Sequence, residues 1–440
     1  MSEMVEAVRL RRLVVTDLGE GGVVRILRRP LDLAAPEMEA VTEIVAAVAK
    51  EGDAAVLRYT ALFDGVELTP ERLRVAPEEF KAARAEVPPA FVAAVRQARE
   101  RIAAYHERQK HGSWVMAPGD GSQLGQQVTP LSRVGVYVPG GTAPLASSVL
   151  MNAVPARVAG VESVALATPP DREGRVNPYI LVAAEEAGVN EVYRVGGAQA
   201  VAALAFGTRT IPRVDKITGP GNIYVTLAKK LVYGQVGIDL LAGPSEVAVV
   251  ADATANPRLV AADLLSQAEH DLRSVAVLFT PELGLVERVE AELATQLAEL
   301  PRAGTAARAL AAQGAVVVTP DLETAVRLAD AFAPEHLELL VAEPGRWLPE
   351  VKHAGTVFLG AYAPEPVGDY LAGTNHILPT GGTARFASGL SVDDFMRKTS
   401  FVSLTPEALA RLAPAIETLA EVEGLTAHAR AVRIRLEGGK

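Results

Sequence analysis

The stretch that decides the fold runs from residue 246 to residue 280, EVAVVADATANPRLVAADLLSQAEHDLRSVAVLFT. It begins with one short apolar run, Glu246 to Ala251, and ends with another, Ser274 to Thr280. Between them, Pro257 to His270 has the length and the amphipathic pattern of a helix. Two apolar strands that alternate with a helix predict parallel strands with helices covering the sheet.

The same alternation continues on both sides of this stretch. Further candidate strands are Val134 to Val138, Ser163 to Thr168, Glu191 to Val195, Lys216 to Thr218, Ala315 to Thr319 and Thr356 to Leu359. Amphipathic helices such as Asn177 to Gly188 and Leu322 to Ala331 lie between most of them. Strands in this number are enough for two smaller doubly wound units.

Residues 36 to 111 follow a different pattern and are predicted to be largely helical. Pro36 suits the first turn of a helix, and apolar residues from Val41 to Val48 recur with a period of about 3.6 residues. A second helix is predicted from Pro89 to about Lys110.

Composition excludes several classes of protein. The 440 residues, of which 49% are hydrophobic and 22% charged, carry a formal charge of −10 and no basic run longer than a pair, so nucleic acid is not an expected partner. The uncharged stretch 134–156 is interrupted by prolines, glycines and polar residues, which argues against a membrane span. The N-terminus contains acidic residues and lacks the apolar core of a secretory signal, and we expect a cytoplasmic enzyme.

The chain contains no cysteine, which restricts its chemistry. Disulfides, thiolate zinc sites, iron–sulfur clusters and thioester intermediates are all excluded. An aldehyde would have to be oxidised through its hydrate, and a metal would need ligands from His, Asp, Glu or an amide oxygen.

Glycine turns follow several candidate strands, at residues 139–141, 196–197 and 219–222. Such turns bind phosphates through backbone N–H groups, but they also occur wherever a strand must reverse into a helix. Gly219-x-Gly221 is followed by Tyr224 where a dinucleotide fingerprint has its third glycine, so both interpretations stay open.

Five of the seven histidines lie between residues 270 and 428, close to several acids. Gln267 and His270 are three residues apart on a predicted helix and can face one point. Taken singly, His270 fits a solvated or capping role, Asp369 a turn, and His428 the surface of a terminal helix. Only their joint presence favours a metal site.

Eight segments in a fixed order resemble the L-histidinol dehydrogenase family over nearly the whole chain. They are Arg133–Gly141, Gly196–Gln199, Gly219–Asn222, Ala242–Glu246, Ser266–Asp271, Ala333–Glu338, Gly368–His376 and Glu423–His428. Each segment is weak evidence alone, but eight in the right order are specific.

The resemblance implies an α/β fold of two Rossmann-like, doubly wound domains with small N- and C-terminal extensions that interlock a homodimer. Residues 1–32 would form the N-terminal dimerisation extension. Residues 33–136 and 246–390 would form the first domain, which carries the metal and acid–base site. Residues 137–245 would form the second domain, which contacts NAD, and residues 391–440 would reach the partner subunit.

The resemblance also implies a role for each matching site residue. Gln267, His270 and Asp369 match ligands of one zinc ion per subunit, and His428 matches a fourth ligand supplied by the neighbouring subunit. Glu335 and His336 match an acid–base pair. This assignment agrees with chemistry, because a neutral imidazole can take protons from an alcohol or a hydrate while a carboxylate activates water. Taken alone, an acid–histidine pair after Pro334 would fit a helix start.

The remaining assignments concern substrate and cofactor. Ser245, His376 and Glu423 match substrate contacts, with Glu423 placed to pair with a cationic amine. The zinc ligands and His336 also contact the substrate in this family. Tyr137, Gln199 and Asn222 match positions that contact NAD. His353 matches no functional position.

The implied reaction is a zinc-dependent, NAD-linked, four-electron oxidation. L-Histidinol would be converted through bound L-histidinaldehyde to L-histidine, the last two steps of histidine biosynthesis. The main alternative is a paralogous zinc/NAD dehydrogenase of another small polar alcohol, such as a sulfonated diol. A catalytically silent metal- or nucleotide-binding protein is a more distant alternative.

Overall fold

A computed structural model describes residues 9–29, 35–140 and 144–437 of the chain. Part of the predicted N-terminal extension (residues 1–8 and 30–32) and Gly141 of the first glycine turn lie outside these described residues.

The structure has three sheets and many helices. The strands are β1 (Arg11–Val14), β2 (Trp114–Met116), β3 (Gln123–Pro130), β4 (Arg133–Tyr137), β5 (Ser163–Thr168), β6 (Glu191–Arg194), β7 (Lys216–Thr218), β8 (Gly237–Ile238), β9 (Glu246–Ala251), β10 (Val275–Thr280), β11 (Ala315–Val318), β12 (His336–Leu340), β13 (Thr356–Leu359) and β14 (Met396–Ser403). The α-helices are α1 (Val15–Leu18), α2 (Glu20–Leu27), α3 (Ala35–Glu51), α4 (Asp53–Asp64), α5 (Pro70–Leu73), α6 (Pro77–Glu86), α7 (Pro89–Glu107), α8 (Ala146–Ala159), α9 (Pro178–Glu186), α10 (Gly197–Phe206), α11 (Ile223–Val232), α12 (Pro257–Ala268), α13 (Leu283–Leu297), α14 (Ala303–Gln313), α15 (Leu322–Phe332), α16 (Pro344–Trp347), α17 (Glu365–Tyr370), α18 (Pro406–Val422) and α19 (Thr426–Glu437).

The larger sheet has six parallel strands in the order β1-β11-β10-β9-β12-β13. Residues 246–280 form β9, α12 and β10, and the two strands are parallel neighbours, as predicted. Both strands are buried along their whole length because helices cover both faces of the sheet.

The second sheet has five parallel strands in the order β6-β5-β4-β7-β8. Strand β4 lies between β5 and β7, and β9 lies between β10 and β12. In each sheet the chain therefore adds strands first on one side of this central strand and then on the other, which is the doubly wound arrangement. The prediction of two doubly wound parallel sheets is therefore confirmed.

The helices from residues 35–107 pack on the five-stranded sheet. Apolar residues of α3 lie in one core with α10 and α11, and those of α6 and α7 lie in another with α8 and α9. The resemblance grouped residues 33–136 with 246–390 in one domain. The structure instead places these helices and β4 with the five-stranded sheet, because their apolar faces pack in its cores. Meanwhile β1, from the predicted N-terminal extension, pairs with β11 at the edge of the six-stranded sheet. The other predicted domain boundaries stay a prediction.

The third sheet is antiparallel, in the order β14-β3-β2, and the sequence analysis missed it. Strand β2 has only three residues, and β3 and β14 mix polar with apolar residues and are largely exposed, so none of them has the longer apolar run that revealed the other strands. The terminal helices α18 and α19 follow β14 and pack on each other. Within the described ranges, no helix is both long and apolar enough to cross a membrane.

Two local interpretations of the sequence were wrong. His336 begins strand β12, so the pair Glu335-His336 is not a helix start. Strand β12 lies between β9 and β13 and pairs with both, and this pairing overrides the preference for a helix start after Pro334. Asp369 lies in the short helix α17 instead of a turn, since Pro366 is accommodated in the first turn of that helix.

Asp64, the last residue of α4, offers a test of the fold. Burial raises the pKa of its carboxyl to about 6, and one carboxyl oxygen has no hydrogen-bond partner among the described residues. The unfolded chain releases this proton at about pH 4, whereas the folded chain holds it until about pH 6. The free energy of unfolding therefore falls as the pH rises between these two values.

We therefore expect Asp64→Asn to be more stable than the wild type at about pH 8, by about 1 kcal/mol once partial exposure of the carboxyl is allowed for. The difference should shrink towards about pH 4 to 5 because the wild-type carboxyl is then protonated as well. Urea unfolding of both proteins across this range measures the effect, with the exposed Glu67→Gln as control. A difference that grows with falling pH would contradict the assignment.

Candidate active site

The candidate site lies at the amino ends of two neighbouring strands of the six-stranded sheet. Glu246 is the first residue of β9 and His336 the first of β12, and the two strands pair with His336 opposite Val247. Helix α12 follows β9 and returns towards the same edge, where it carries Gln267 in its last turn and leads into His270. Sheet topology thus brings these residues together from distant parts of the sequence.

The backbone of Glu246 anchors both members of the predicted acid–base pair. Its N–H donates to Glu335 Oε2 at 2.9 Å, and its carbonyl oxygen lies 3.1 Å from His336 Nδ1. Because a carbonyl only accepts, His336 Nδ1 must carry the proton and Nε2 is left with a free electron pair. Nε2 is buried and has no hydrogen-bond partner in the described part of the chain.

Burial gives the two side chains opposite shifts. It lowers the pKa of His336 to about 3, with smaller contributions from His270 and His376, so the imidazole is neutral near pH 7. Burial raises the pKa of Glu335 well above its ordinary value. Glu335 Oε2 lies 3.8 Å from His336 Nδ1. The pair therefore combines a neutral base with a carboxyl that holds its proton more tightly than usual.

The side chain of Glu246 points to other partners. Its Oε1 accepts from the N–H of Gly381 at 2.8 Å and pairs with Arg29 Nη1 at 2.7 Å. The Arg29 guanidinium lies 3.6 Å from the centroid of the Phe332 ring. Arg29 thus connects the N-terminal segment to the residue that anchors the acid–base pair.

Three side chains next to this pair can hold a metal ion. One ligand atom from each of His270, Glu365 and Asp369 lies within 4.8 Å of the others. The Gln267 amide adjoins this cluster, with Nε2 3.3 Å from His270 Nδ1 and Oε1 3.3 Å from His336 Nδ1. Imidazole, carboxylate and amide are donors that Zn²⁺ accepts.

The carboxyls of this cluster also favour a cation. Burial, followed by the negative charge of Asp369, raises the pKa of Glu365 to about 8, and burial raises that of Asp369 to about 6. A cation would offset this accumulation of buried carboxyls. The donor set therefore fits a metal ion.

The sequence analysis missed Glu365. Its side chain accepts from Ser266 Oγ at 3.3 Å, and its backbone N–H donates to Glu338 Oε1 at 2.8 Å. Glu338 in turn shares a hydrogen bond with Asp263. The available signal was an acid four residues before Asp369, which places both on one face once the segment is known to be helical.

Two predicted substrate contacts lie at the same edge. His376 Nδ1 is 3.1 Å from the Asp369 carbonyl oxygen, and its Nε2 is 3.2 Å from Ser148 Oγ. Burial lowers the pKa of His376 to about 4. Ser245 immediately precedes Glu246 at the start of β9 and is half-buried.

The three residues predicted to contact NAD lie at the carboxyl ends of strands in the five-stranded sheet, where doubly wound sheets bind ligands. Tyr137 ends β4, and its hydroxyl accepts from the Gly197 N–H at 3.1 Å. Gln199 lies in the first turn of α10 and is buried, with an Oε1 atom that has no hydrogen-bond partner among the described residues. Asn222 caps α11, accepts from the Val225 N–H at 3.2 Å and is exposed.

Glu423 and His428 are not brought into this cluster within one chain. Glu423 follows the last residue of α18, His428 lies in α19, and both are exposed. In the described ranges, no side-chain hydrogen bond or ion pair joins either residue to the site. Their assignment stays a prediction.

Comparison with known proteins agrees with this geometry. The profile of the histidinol dehydrogenase family matches residues 28–436. A histidinol dehydrogenase from Moorella thermoacetica is 58% identical over 397 residues, covering 90% of this chain and 94% of that protein, and one from Synechococcus is 54% identical over 412 residues, covering 93% and 95%. The crystal structure of histidinol dehydrogenase from Elizabethkingia anophelis superposes with a TM-score of 0.92 at 39% identity, covering 97% of this chain and 98% of that one. Because profile, sequences and structure agree over nearly the full length, this chain belongs to the histidinol dehydrogenase family.

Proposed function

We propose that this chain, an oxidoreductase of the histidinol dehydrogenase family, oxidises L-histidinol through bound L-histidinaldehyde to L-histidine in histidine biosynthesis. One alcohol, two NAD⁺ and one water would give one carboxylate, two NADH and three protons. The family assignment supports the substrate. A cytoplasmic location suits such a biosynthetic reaction and stays a prediction.

One observation carries the proposal: the buried Nε2 atom of His336, which has no hydrogen-bond partner among the described residues. The neighbouring nitrogen is tied to the Glu246 carbonyl, so the ring is held in one orientation next to Gln267, whose amide adjoins the metal-binding cluster. A neutral imidazole held in this way can take the hydroxyl proton of an alcohol and later that of an aldehyde hydrate.

We propose that zinc binds Gln267, His270 and Asp369, with His428 of the partner subunit as a further ligand. The supporting observations are the distances within the His270–Asp369 cluster and the donor types present. When bound, zinc would supply Lewis-acid polarisation of the substrate oxygen. Ser245, His376 and the partner's Glu423 would orient the substrate, and Glu423 would pair with its amino group.

We propose that NAD⁺ binds at the five-stranded sheet with Tyr137, Gln199 and Asn222 in contact. The Oε1 atom of buried Gln199, unpartnered within the described ranges, is a hydrogen-bond acceptor that a bound ligand can satisfy. When bound, NAD⁺ would supply the acceptor for each hydride. The sheet topology supports this location, since these loops meet where the strand order reverses.

In the proposed order of reaction steps, His336 acts in both oxidations. Its Nε2 takes the proton of the alcohol as the first hydride leaves. Glu335, in its carboxylate form, then takes a proton from the water that adds to the aldehyde, and its raised pKa makes that carboxylate a stronger base. His336 takes a hydrate proton as the second hydride leaves. No cysteine is available for a thioester, so the aldehyde must remain bound until it is hydrated.

We propose that two chains form a homodimer and that the C-terminal extension completes the partner's site. Strand β14 is exposed from Arg397 to Ser403, and large apolar side chains such as Val402, Leu419 and Val422 are exposed on it and on α18. A small sheet and helix pair that expose this much apolar surface favour a protein partner.

The first test is the stoichiometry of the reaction. With zinc and NAD⁺, we expect two NADH per histidinol consumed and little free aldehyde, because the aldehyde stays bound for hydration. Absorbance at the NADH band and an aldehyde trap measure both. One NADH per histidinol with free aldehyde would contradict the four-electron reaction, and faster turnover of a sulfonated diol would favour the paralogous alternative.

The second test separates the acid–base pair from the metal ligands. Glu335→Gln and His336→Ala should lower kcat by about 10² to 10⁴ with zinc content unchanged. His270→Ala should lose zinc. Metal analysis and steady-state kinetics measure both effects, with the exposed His111→Ala as the matched control. Loss of zinc from a folded His336→Ala protein would show that the roles are misassigned.

The third test asks whether sites are shared. His270→Ala and His428→Ala chains are co-expressed with two affinity tags. Random pairing makes about half of the dimers mixed, and each mixed dimer has one site with both residues intact, so about a quarter of wild-type activity should return. Each variant alone should remain near zero. If His428 served its own chain, every site would lack one ligand and co-expression would restore nothing.

A further inference from the structure

We propose that Lys229 and Asp239 are positioning residues for NAD⁺, because together they fix the loop 219–222 that carries Asn222. The inference rests on the proposed function, since it requires the dinucleotide to bind at the five-stranded sheet. Neither residue is expected to touch the dinucleotide, because their side chains are only 3% and 1% exposed.

The two side chains hold both polar groups of one backbone residue. Lys229 Nζ donates to the carbonyl oxygen of Gly219 at 3.0 Å, and Asp239 Oδ2 accepts from the Gly219 N–H at 2.7 Å. Lys229 and Asp239 also form an ion pair with each other. A single buried pair therefore fixes the position and the orientation of Gly219.

Gly219 is the residue on which the shape of this loop depends. Its φ of +115° lies in a region that L side chains rarely adopt, and a Cβ atom there would be 2.1 Å from the carbonyl oxygen of Tyr137. The loop therefore packs directly against the backbone of Tyr137. A shift of Gly219 would change the spacing between Tyr137 and Asn222, the two predicted NAD contacts on neighbouring strands.

Helix α11 connects the pair to Asn222 by a second route. Asn222 caps this helix, and Lys229 lies about two turns further along the same face, beyond Thr226. The Thr226 hydroxyl donates to the carbonyl oxygen of Ala242 at 3.2 Å. Through its hydrogen bond to Gly219, Lys229 therefore links α11, the helix that Asn222 caps, to the first residue of the loop 219–222.

The charges of the pair also suit this position. A carboxylate alone beneath the loop would repel the phosphates of a dinucleotide, and the Lys229 ammonium cancels that charge. Removal of one partner would leave an unpaired buried charge and destabilise the protein whatever its role. A useful variant must therefore neutralise both residues together.

The test uses the zinc-loaded full chain with Lys229→Met and Asp239→Asn combined. The new amide can still accept from the Gly219 N–H, but nothing donates to the Gly219 carbonyl. Titration calorimetry and kinetics should show an NAD⁺ Kd and KM raised roughly tenfold. The KM for histidinol and the zinc content should stay within about twofold of wild type. Lys230→Met, on the exposed neighbouring residue, is the matched control and should leave NAD⁺ binding unchanged.

A second double variant tests the cause. Lys229→Gln with Asp239→Asn keeps an N–H donor near the Gly219 carbonyl and should recover part of the lost NAD⁺ affinity. The proposal is overturned if the Met-containing variant binds NAD⁺ like wild type, or if NAD⁺ affinity, histidinol KM and zinc content decline together. It is also overturned if only the Met-containing variant fails to fold while the Gln-containing one binds NAD⁺ normally, since the pair would then serve stability alone. A wild-type protein that neither binds nor reduces NAD⁺ would instead refute the proposed function.

Discussion

The backbone of Glu246 is the constraint on which the candidate chemistry depends. Its N–H and carbonyl oxygen hold Glu335 and His336, which lie 89 and 90 residues further along the chain. The parallel register of β9 and β12 sets these contacts. A shift of one residue would turn the His336 side chain to the opposite face of the sheet, so the acid–base pair exists only in this register. The ion pair with Arg29 and the hydrogen bond from the Gly381 N–H fix the side chain of Glu246 as well.

The two doubly wound sheets carry the predicted site residues at opposite ends of their strands. In the five-stranded sheet the predicted NAD contacts lie at the carboxyl ends, as is usual for this architecture. In the six-stranded sheet the acid–base pair lies at the amino ends. The chain joins these edges directly, because the segment from Asp239 to Ser245 leads from the end of β8 into β9. The bond between Ser148 of α8 and His376 joins them a second time. In the proposed function, the NAD⁺ that accepts the hydride would be held by one sheet and the base by the other.

How much the sequence predicts depends on where each element obtains its stability. Strands β5 and β9 were predicted with the correct ends because they are apolar and buried on both faces. Strand β12 was missed because His336 and Glu338 interrupt its apolar pattern, and their burial depends on partners such as the Glu365 N–H that only the tertiary structure supplies. Gln267 and His270 could be paired from their spacing, although α12 ends at Ala268 and His270 lies two residues beyond it. Glu365 could not, because its relation to His270 arises from the packing of α17 against α12.

A four-electron oxidation without cysteine places a particular demand on its base. In the proposed reaction the imidazole of His336 would accept a proton in the first oxidation, lose it, and accept another in the second. Burial, which lowers the pKa of His336, disfavours the protonated form and therefore promotes release of the proton between the two steps. Burial has the opposite effect on Glu335 and favours its protonated form. One buried environment thus gives the imidazole and the carboxyl opposite affinities for a proton, so each can serve a different part of the reaction.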